Sequence, residues 1–239
     1  MSKEIRPRLK GQIKKAYKNL IKDESRILVI GDLHEPFCLD GYLHFCKDTY
    51  AKHNCNKVVF IGDVIDNHYS SYHETDAEGL GGKYELEQAV VKLSRWYKAF
   101  PNADVTLGNH DRIIMRKAQS SNIPSKWLKE YKEVLETPNW NFVTEVWYDD
   151  VRYVHCDKTG KPRMAAKRDM VSTAGGHFHT DMYVEWFFGK ERAIFALAVG
   201  CGIDSKSYAM GYMQGGKKEA IGCGVVVGGH TAFNVKMKL

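Results

Sequence analysis

The feature that most restricts what this chain can fold into is a pattern met three times in its first half. A short apolar run is closed by glycine and then by acids, amides or imidazoles. The runs are ILVIGDLH at 27–34, KVVFIGDVID at 57–66 and ADVTLGNHD at 103–111. β-Branched and aliphatic runs of this length, ended by glycine, read as strands buried on both faces. Between them, residues 41–52 and 84–99 read as helices, the second with Leu86, Ala89, Val90, Leu93 and Trp96 or Tyr97 on its apolar face. Alternation of strand and helix implies a parallel sheet. In such a sheet every strand releases its polar residues at the same edge, into the crevice beyond the carboxyl ends. Asp32 and His34, Asp63 and Asp66, and Asn109, His110 and Asp111 are therefore expected to feed one site.

The second half has another rhythm. A helical stretch over about 112–136, interrupted near Asn122 to Pro124, leads into NFVTEVWYDD, VRYVHC and STAGGHFH. MYVEWFFG, RAIFALAVG, AIGCGVVVG and TAFNVKMKL follow, separated by turn-like clusters of Gly, Lys and Asp. These runs read as hairpins. No internal repeat, low-complexity tract or Pro/Gly/Ser linker divides the chain, so residues 25–239 are expected to form a single domain with two sheets.

Charge sets residues 1–24 apart. Residues 1–22 hold eight Lys or Arg against Glu4 alone, a net +7 in a chain whose total is +6. Leu9, Ile13, Ala16 or Tyr17, and Leu20 with Ile21 recur at helical spacing after Pro7, so this segment reads as a basic amphipathic helix. Its outer face is either simply solvated or a patch that tracks a nucleic-acid backbone.

Ala193–Val199, the longest apolar run, is far short of the roughly 20 residues of a membrane span. Residues 1–20 are charged throughout and lack a signal-peptide core. A cytoplasmic protein with no membrane partner is expected. The six cysteines (38, 46, 55, 156, 201 and 223) include no Cys-x-x-Cys pair, which argues against a zinc knuckle or dithiol motif and for free, mostly buried thiols.

Asp and a His two residues on can face one opening, and both are ligand types for divalent metals. Singly, each such element is an ordinary turn. Their order changes the reading: GDLH at 31–34, GDVID at 62–66, GNHD at 108–111, His155 ending a strand, and GHFH at 176–179. Over roughly residues 26–180 this series resembles the calcineurin-like metallophosphoesterases, whose pattern is Asp-x-His, Gly-Asp-x-x-Asp, Gly-Asn-His-Asp/Glu, a later His, and Gly-His-x-His. GDLHEPF with GDVIDNHYSSYH also resembles small family members carried by bacteriophages.

The resemblance implies an α/β, four-layer αββα sandwich of two mixed β-sheets flanked by helices. It implies two divalent metal ions sharing Asp63. One ion would take Asp32, His34 and His179, and the other Asn109, His155 and His177. Oxygen and imidazole ligands without thiolate suit manganese, the first choice, with iron, zinc or nickel as alternatives. Two such ions lower the pKa of a water held between them and clamp the oxygens of an in-line displacement.

By the same resemblance His110 is not a ligand but faces the leaving-group oxygen as proton donor. Asp66 would hold that ring's other nitrogen, the alternative being a turn cap. Arg112 would reach a phosphate oxygen or pair locally. The connection at 67–82, NHYSSYHETDAEGLGG, is long for a strand-to-helix loop and offers His68, Tyr69, Tyr72 and His73 as substrate contacts or as packed anchors. Cys156 stands where relatives most often have Gly.

Asn67-His68 departs from the Arg-Gly that follows this motif in the family's protein phosphatases, and His177 with His179 is common in its phosphodiesterases and nucleases. A phosphodiester substrate, nucleic acid or nucleotide, is the expectation. A phosphomonoesterase is the alternative in chemistry. Retention of every ligand position argues against a silent binding scaffold.

Overall fold

The computed structural model describes residues 24–72, 75–204, 206–209 and 218–239. The basic helix expected over residues 1–24 lies outside them except for Glu24.

The three apolar runs form β1 (Arg26–Ile30), β2 (Lys57–Phe60) and β3 (Asp104–Thr106), side by side and parallel. The intervening helices are α1 (Tyr42–Lys52) and α2 (Gly82–Ala99). A fourth parallel strand, β4 (Asn141–Val143), extends the sheet beyond β3. On the other side β10 (Gly222–Val227) runs antiparallel to β1 and turns back into β11 (Thr231–Lys236), giving the order β11-β10-β1-β2-β3-β4.

The second sheet contains β5 (Glu145–Tyr148), β6 (Val151–Val154), β7 (Ser172–Gly175), β8 (Met182–Phe188) and β9 (Ala193–Val199), in the order β5-β6-β7-β9-β8. Its inner strands β6, β7 and β9 are parallel, and β5 and β8 are antiparallel edges.

Because successive side chains of a strand point to opposite faces, β1 and β2 serve two cores at once. Ile27, Val29, Val59 and Ile61 meet Tyr153, Ala174, Phe195, Leu197 and Val199 of the second sheet. Leu28, Ile30, Val58 and Phe60 pack instead on Cys46 of α1 and on Ala89, Leu93 and Trp96 of α2. A helix after β6, α5 (Pro162–Asp169), covers the far face of the second sheet through Ala166 against Ile194 and Ala196. The layers are helix, sheet, sheet, helix, as expected.

Two expectations are corrected. NFVTEVWYDD is not one strand: it divides at Thr144, with β4 completing the first sheet in register Asn141↔Asp104 and β5 opening the second in register Glu145↔Val154. The runs of the second half are not all hairpins, since β6, β7 and β9 are joined by parallel crossovers. One of those crossovers holds α5, unread in the sequence because its small buried face, Ala165 and Ala166, is surrounded by Lys and Arg. The break expected near Asn122 to Pro124 separates α3 (Ile113–Ser120) from a 3₁₀ turn at Ser125–Trp127 and a short α4 (Tyr131–Val134).

The six cysteines are free, five of them buried. No helix among the described residues is long and apolar enough to cross a membrane.

Candidate metal centre

Beyond the ends of β1, β2, β3, β6 and β7, seven side chains form three overlapping groups. These are Asp32–His34–His179, His34–Asp63–His110 and Asp63–His155–His177, with the ligand atoms of each within 4.8 Å of one another. Asp63 Oδ2 lies 3.8 Å from His34 Nε2 and 3.0 Å from His155 Nε2, so this carboxylate stands between the two sets. His179 Nε2 is 3.2 Å from His34 Nε2 and 3.9 Å from Asp32 Oδ1. The amide oxygen of Asn109 is 3.0 Å from His155 Nε2.

The orientation of these rings is set by their outer nitrogens. His155 Nδ1 is 2.6 Å from the Ile61 carbonyl and His34 Nδ1 is 2.5 Å from Asp66 Oδ1. A carbonyl or carboxylate only accepts, so both rings donate from Nδ1 and turn Nε2 inward, where the neutral ring offers a lone pair. They face Asp63 Oδ2, which is buried without a hydrogen-bond partner among the described residues. Lone pairs and a carboxylate oxygen crowded in this way repel unless positive charge lies among them. The residues present therefore fit a pair of divalent cations, and a donor set of carboxylate, amide and imidazole fits the borderline metals.

The protein's own charges express the same demand. Burial opposes charge on His34 and His155, yet the nearby carboxylates outweigh it: Asp66, Asp63 and Asp32 lift His34 to about 9, and Asp63 and Asp32 lift His155 to about 10. Burial raises Asp32 to about 6, with His155 opposing and Asp63 adding. Burial also works against Asp63, but His155, His110 and His34 hold it well below the carboxylate range. His177 and His179 are lowered by burial first and then by His155 and His34 respectively.

Backbone geometry shows why glycines precede the ligands. Gly62 has φ +87°, and a Cβ there would stand 2.5 Å from the Thr106 carbonyl and 2.9 Å from His155 Nδ1. A Cβ on Gly108 would stand 2.0 Å from Asp63 Oδ1. The left-handed region is also imposed on non-glycine residues here: His34 (φ 52°), Asp63 (46°), Asn67 (55°), Cys156 (80°) and His177 (70°). Each costs about 1–3 kcal/mol and persists only where its surroundings over-determine it. At Cys156 the chain keeps the backbone that a glycine would adopt freely.

The main agent of that over-determination is Asp111, which the sequence reading named without a role. Its buried carboxylate accepts from the N–H groups of Asp63 (2.8 Å), Gly108 (2.8 Å), Val64 (3.0 Å) and Ile65 (3.4 Å). Burial raises Asp111 to about 6 and the charge of Asp63 adds to this, against the pull of the backbone donors. The legible signal was the acid closing GNHD. Two further backbone bonds knit the site: His110 N–H donates to Asp63 Oδ1 (2.8 Å), and His177 N–H donates to both Asp32 oxygens (3.1 Å).

Asp66 holds two rings: its Oδ1 is 2.5 Å from His34 Nδ1 and 3.3 Å from His110 Nδ1. The Asp66 carbonyl also accepts from His110 Nδ1, at 2.6 Å. His110 also lies within ligand distance of His34 and Asp63, closer to the metal set than its expected role required. Arg112 pairs with Asp157, which faces it from the loop after β6, so at least one of its donors is taken locally. His68 is buried: its Nε2 accepts from Asp76 N–H (3.1 Å), its Nδ1 lies 3.9 Å from Asp66 Oδ2 and its ring packs on Tyr208. His73 lies outside the described residues.

A second residue missed in the sequence is Glu85 of α2, buried and accepting from the N–H groups of His68 (2.7 Å) and Tyr69 (3.2 Å). Its signal was an acid in register with the buried stripe Ala89, Leu93 and Trp96.

The family model of the calcineurin-like phosphoesterases matches residues 25–232. No curated protein sequence matches the chain. Among solved structures it is similar to the phosphoesterase YfcE from E. coli, with 14% identity, coverage of 84% of this chain and 87% of that one, and a TM-score of 0.42. It is similar to the nuclease MPE from Pseudomonas putida (13%, 87% and 87%, 0.41). A third likeness is to vacuolar protein sorting 29 from Cryptosporidium parvum (13%, 90% and 99%, 0.43). Likenesses this distant add nothing to the geometry above.

Proposed function

We propose that the chain, which belongs to the calcineurin-like phosphoesterase family, hydrolyses a phosphodiester of the nucleic-acid or nucleotide class with the help of two divalent metal ions, manganese first among them. Membership carries the coarser statement, a metal-dependent phosphoester hydrolase. The observation that supports the metals in this chain is the unpartnered Asp63 Oδ2 among inward-facing imidazoles.

Asp32, His34 and His179 would hold one ion and Asn109, His155 and His177 the other, with Asp63 common to both. Bound there, the ions supply an activated water and neutralise charge on the phosphoryl oxygens. Asp66 fixes His34 through its carboxylate and His110 through its carbonyl, so one residue orients a ligand and the proton donor together. With Nδ1–H held on the Asp66 carbonyl, His110 acts from its doubly protonated form, giving the Nε2 proton to the departing oxygen and returning to the neutral Nδ1–H ring. Its N–H on Asp63 Oδ1 ties that donor to the shared carboxylate.

The diester preference is supported by His177 with His179 and by Asn67-His68 in place of Arg-Gly. The net +7 of residues 1–22 supports a polyanionic substrate. The test is a panel. Protein stripped with a chelator and reloaded separately with manganese, iron, zinc or nickel is assayed on a chromogenic monoester, a chromogenic diester, cyclic nucleotides, and single- and double-stranded DNA and RNA. The highest kcat/KM is expected on a diester. Faster turnover of monoesters throughout would overturn the diester preference, and no turnover with any metal would overturn the hydrolase.

A further inference from the structure

On the loop that follows Asp66 and Asn67, Tyr72 is an aromatic side chain with no part in the chemistry above, and it is 58% exposed. The Arg116 guanidinium carbon lies 4.9 Å from its ring centroid and Lys117 Nζ 5.4 Å. Both cations stand on α3, the helix that begins at Ile113, directly after Asn109, His110 and Asp111. The loop carrying Tyr72 is anchored to the same rim: Asn67 Nδ2 donates to the His110 carbonyl (3.0 Å), and Glu85 holds the N–H groups of His68 and Tyr69. The start of the loop and the start of the helix are thus tied to the ligand turns by groups other than the ring and the cations.

Two observations separate this trio from an incidental surface contact. The first is charge: among the described residues no carboxylate pairs with Arg116 or Lys117, whereas Arg112 is paired with Asp157 and Lys161 with Asp181. The second is availability. The other cation–aromatic pair at the centre, Lys161 with Phe178, has its ring packed on His177 at 4.9 Å, so that ring belongs to the ligand set. Tyr72 keeps most of its surface in water.

An exposed aromatic ring beside cations that no carboxylate among the described residues pairs matches the two parts of an unpaired nucleotide, a base that stacks and a phosphate that seeks cations. A duplex hides its base faces within its own stack and offers an exposed ring nothing to lie against. We infer, resting on the phosphodiesterase reading, that Tyr72, Arg116 and Lys117 form a subsite for single-stranded nucleic acid. A base flanking the scissile phosphate stacks on Tyr72, and the adjoining backbone phosphate lies against Arg116 and Lys117.

The experiment measures binding with hydrolysis switched off: fluorescence anisotropy of a labelled single-stranded oligothymidylate and of a labelled duplex, in EDTA, over a salt series. In parallel, each protein's turnover of bis(4-nitrophenyl) phosphate is followed with manganese. Tyr72→Ala is expected to weaken single-strand binding about 5- to 150-fold, the range that base–aromatic stacking implies. Tyr72→Phe should restore it. Arg116→Gln/Lys117→Gln should reduce the magnitude of the salt slope by about 0.7, the value for one lost phosphate contact on single strands.

Unchanged binding by Tyr72→Ala, or no rescue by Tyr72→Phe, would overturn the stacking role. Equal loss of duplex binding would overturn the single-strand assignment. The two readings fail separately. Wild-type protein inert on the small diester but dependent on Tyr72 for oligonucleotide binding refutes the phosphodiesterase and keeps the subsite. Active protein indifferent to Tyr72 does the reverse.

Discussion

Asp111→Asn changes almost no volume but replaces one carboxylate oxygen with an amide NH₂, and the structure indicates how much that costs. One oxygen of Asp111 serves Asp63 N–H and Gly108 N–H, both at 2.8 Å, and the other serves Val64 N–H and Ile65 N–H at 3.0 and 3.4 Å. Whichever way the amide turns, two buried backbone donors lose their acceptor and face another donor. At about 1–3 kcal/mol for each buried group left unsatisfied, the loss is about 2–6 kcal/mol of folding stability. Asp63 holds φ 46° on the turn these bonds support, so the variant should also release metal. Urea denaturation of wild type and variant gives the first quantity. Elemental analysis after dialysis against a weak chelator gives the second. An Asp111→Asn protein within about 0.5 kcal/mol of wild type, the ordinary scatter of surface substitutions, and with full metal content would refute the reasoning.

Three other perturbations follow from the same geometry. Asp63→Asn and Asn109→Ala should each abolish turnover and lower metal content, and a variant with two ions per chain and the wild-type rate would exclude the site as drawn. His110→Ala should retain metal yet lose about 10²- to 10⁴-fold in kcat, the usual yield of general-acid catalysis. That loss should shrink on esters with good leaving groups, and an equal loss on nitrophenyl and alkyl esters would remove His110 as the acid. Glu85 is raised from 4.5 to about 7, chiefly by burial, so the folded chain binds more protons than the unfolded chain between those values. Its contribution to stability therefore falls as pH rises from about 4.5 through about 7 and is flat above. Relative to Glu85→Gln, wild type should lose on the order of 3 kcal/mol across that window. Parallel denaturation series at stepped pH check this, and a constant difference would contradict it.

The sequence by itself determined the family, the parallel strands β1, β2 and β3, and the edge at which they release their acids, amide and imidazoles. Those were legible because each is encoded locally. Asp32, Asp63 and Asn109 each follow a short apolar run and a glycine, and parallel strands bring their carboxyl ends together whatever the rest of the chain does. Gly62 and Gly108 belong to the same local code, since a Cβ at either would strike the neighbouring ligand turn.

What the tertiary structure decided were the partners of groups that local pattern leaves equivalent. Both acids of GDVID follow one strand, and only the packed site shows that the second directs its carboxylate to His34, 32 residues away in sequence, and its carbonyl to His110. Arg112 had a phosphate or a neighbour open to it until the loop after β6 set Asp157 beside it. NFVTEVWYDD carries no break in its β-forming character. It divides at Thr144 because two sheets already in place each offer an open edge, one along β3 and one along β6. Tyr72, an exposed ring in a long loop, gained Arg116 and Lys117 only when that loop was drawn against α3. Short offsets along the chain are set by covalent geometry, whereas most of these pairings join residues more than 30 positions apart, and burial of the surrounding core selects which of them form.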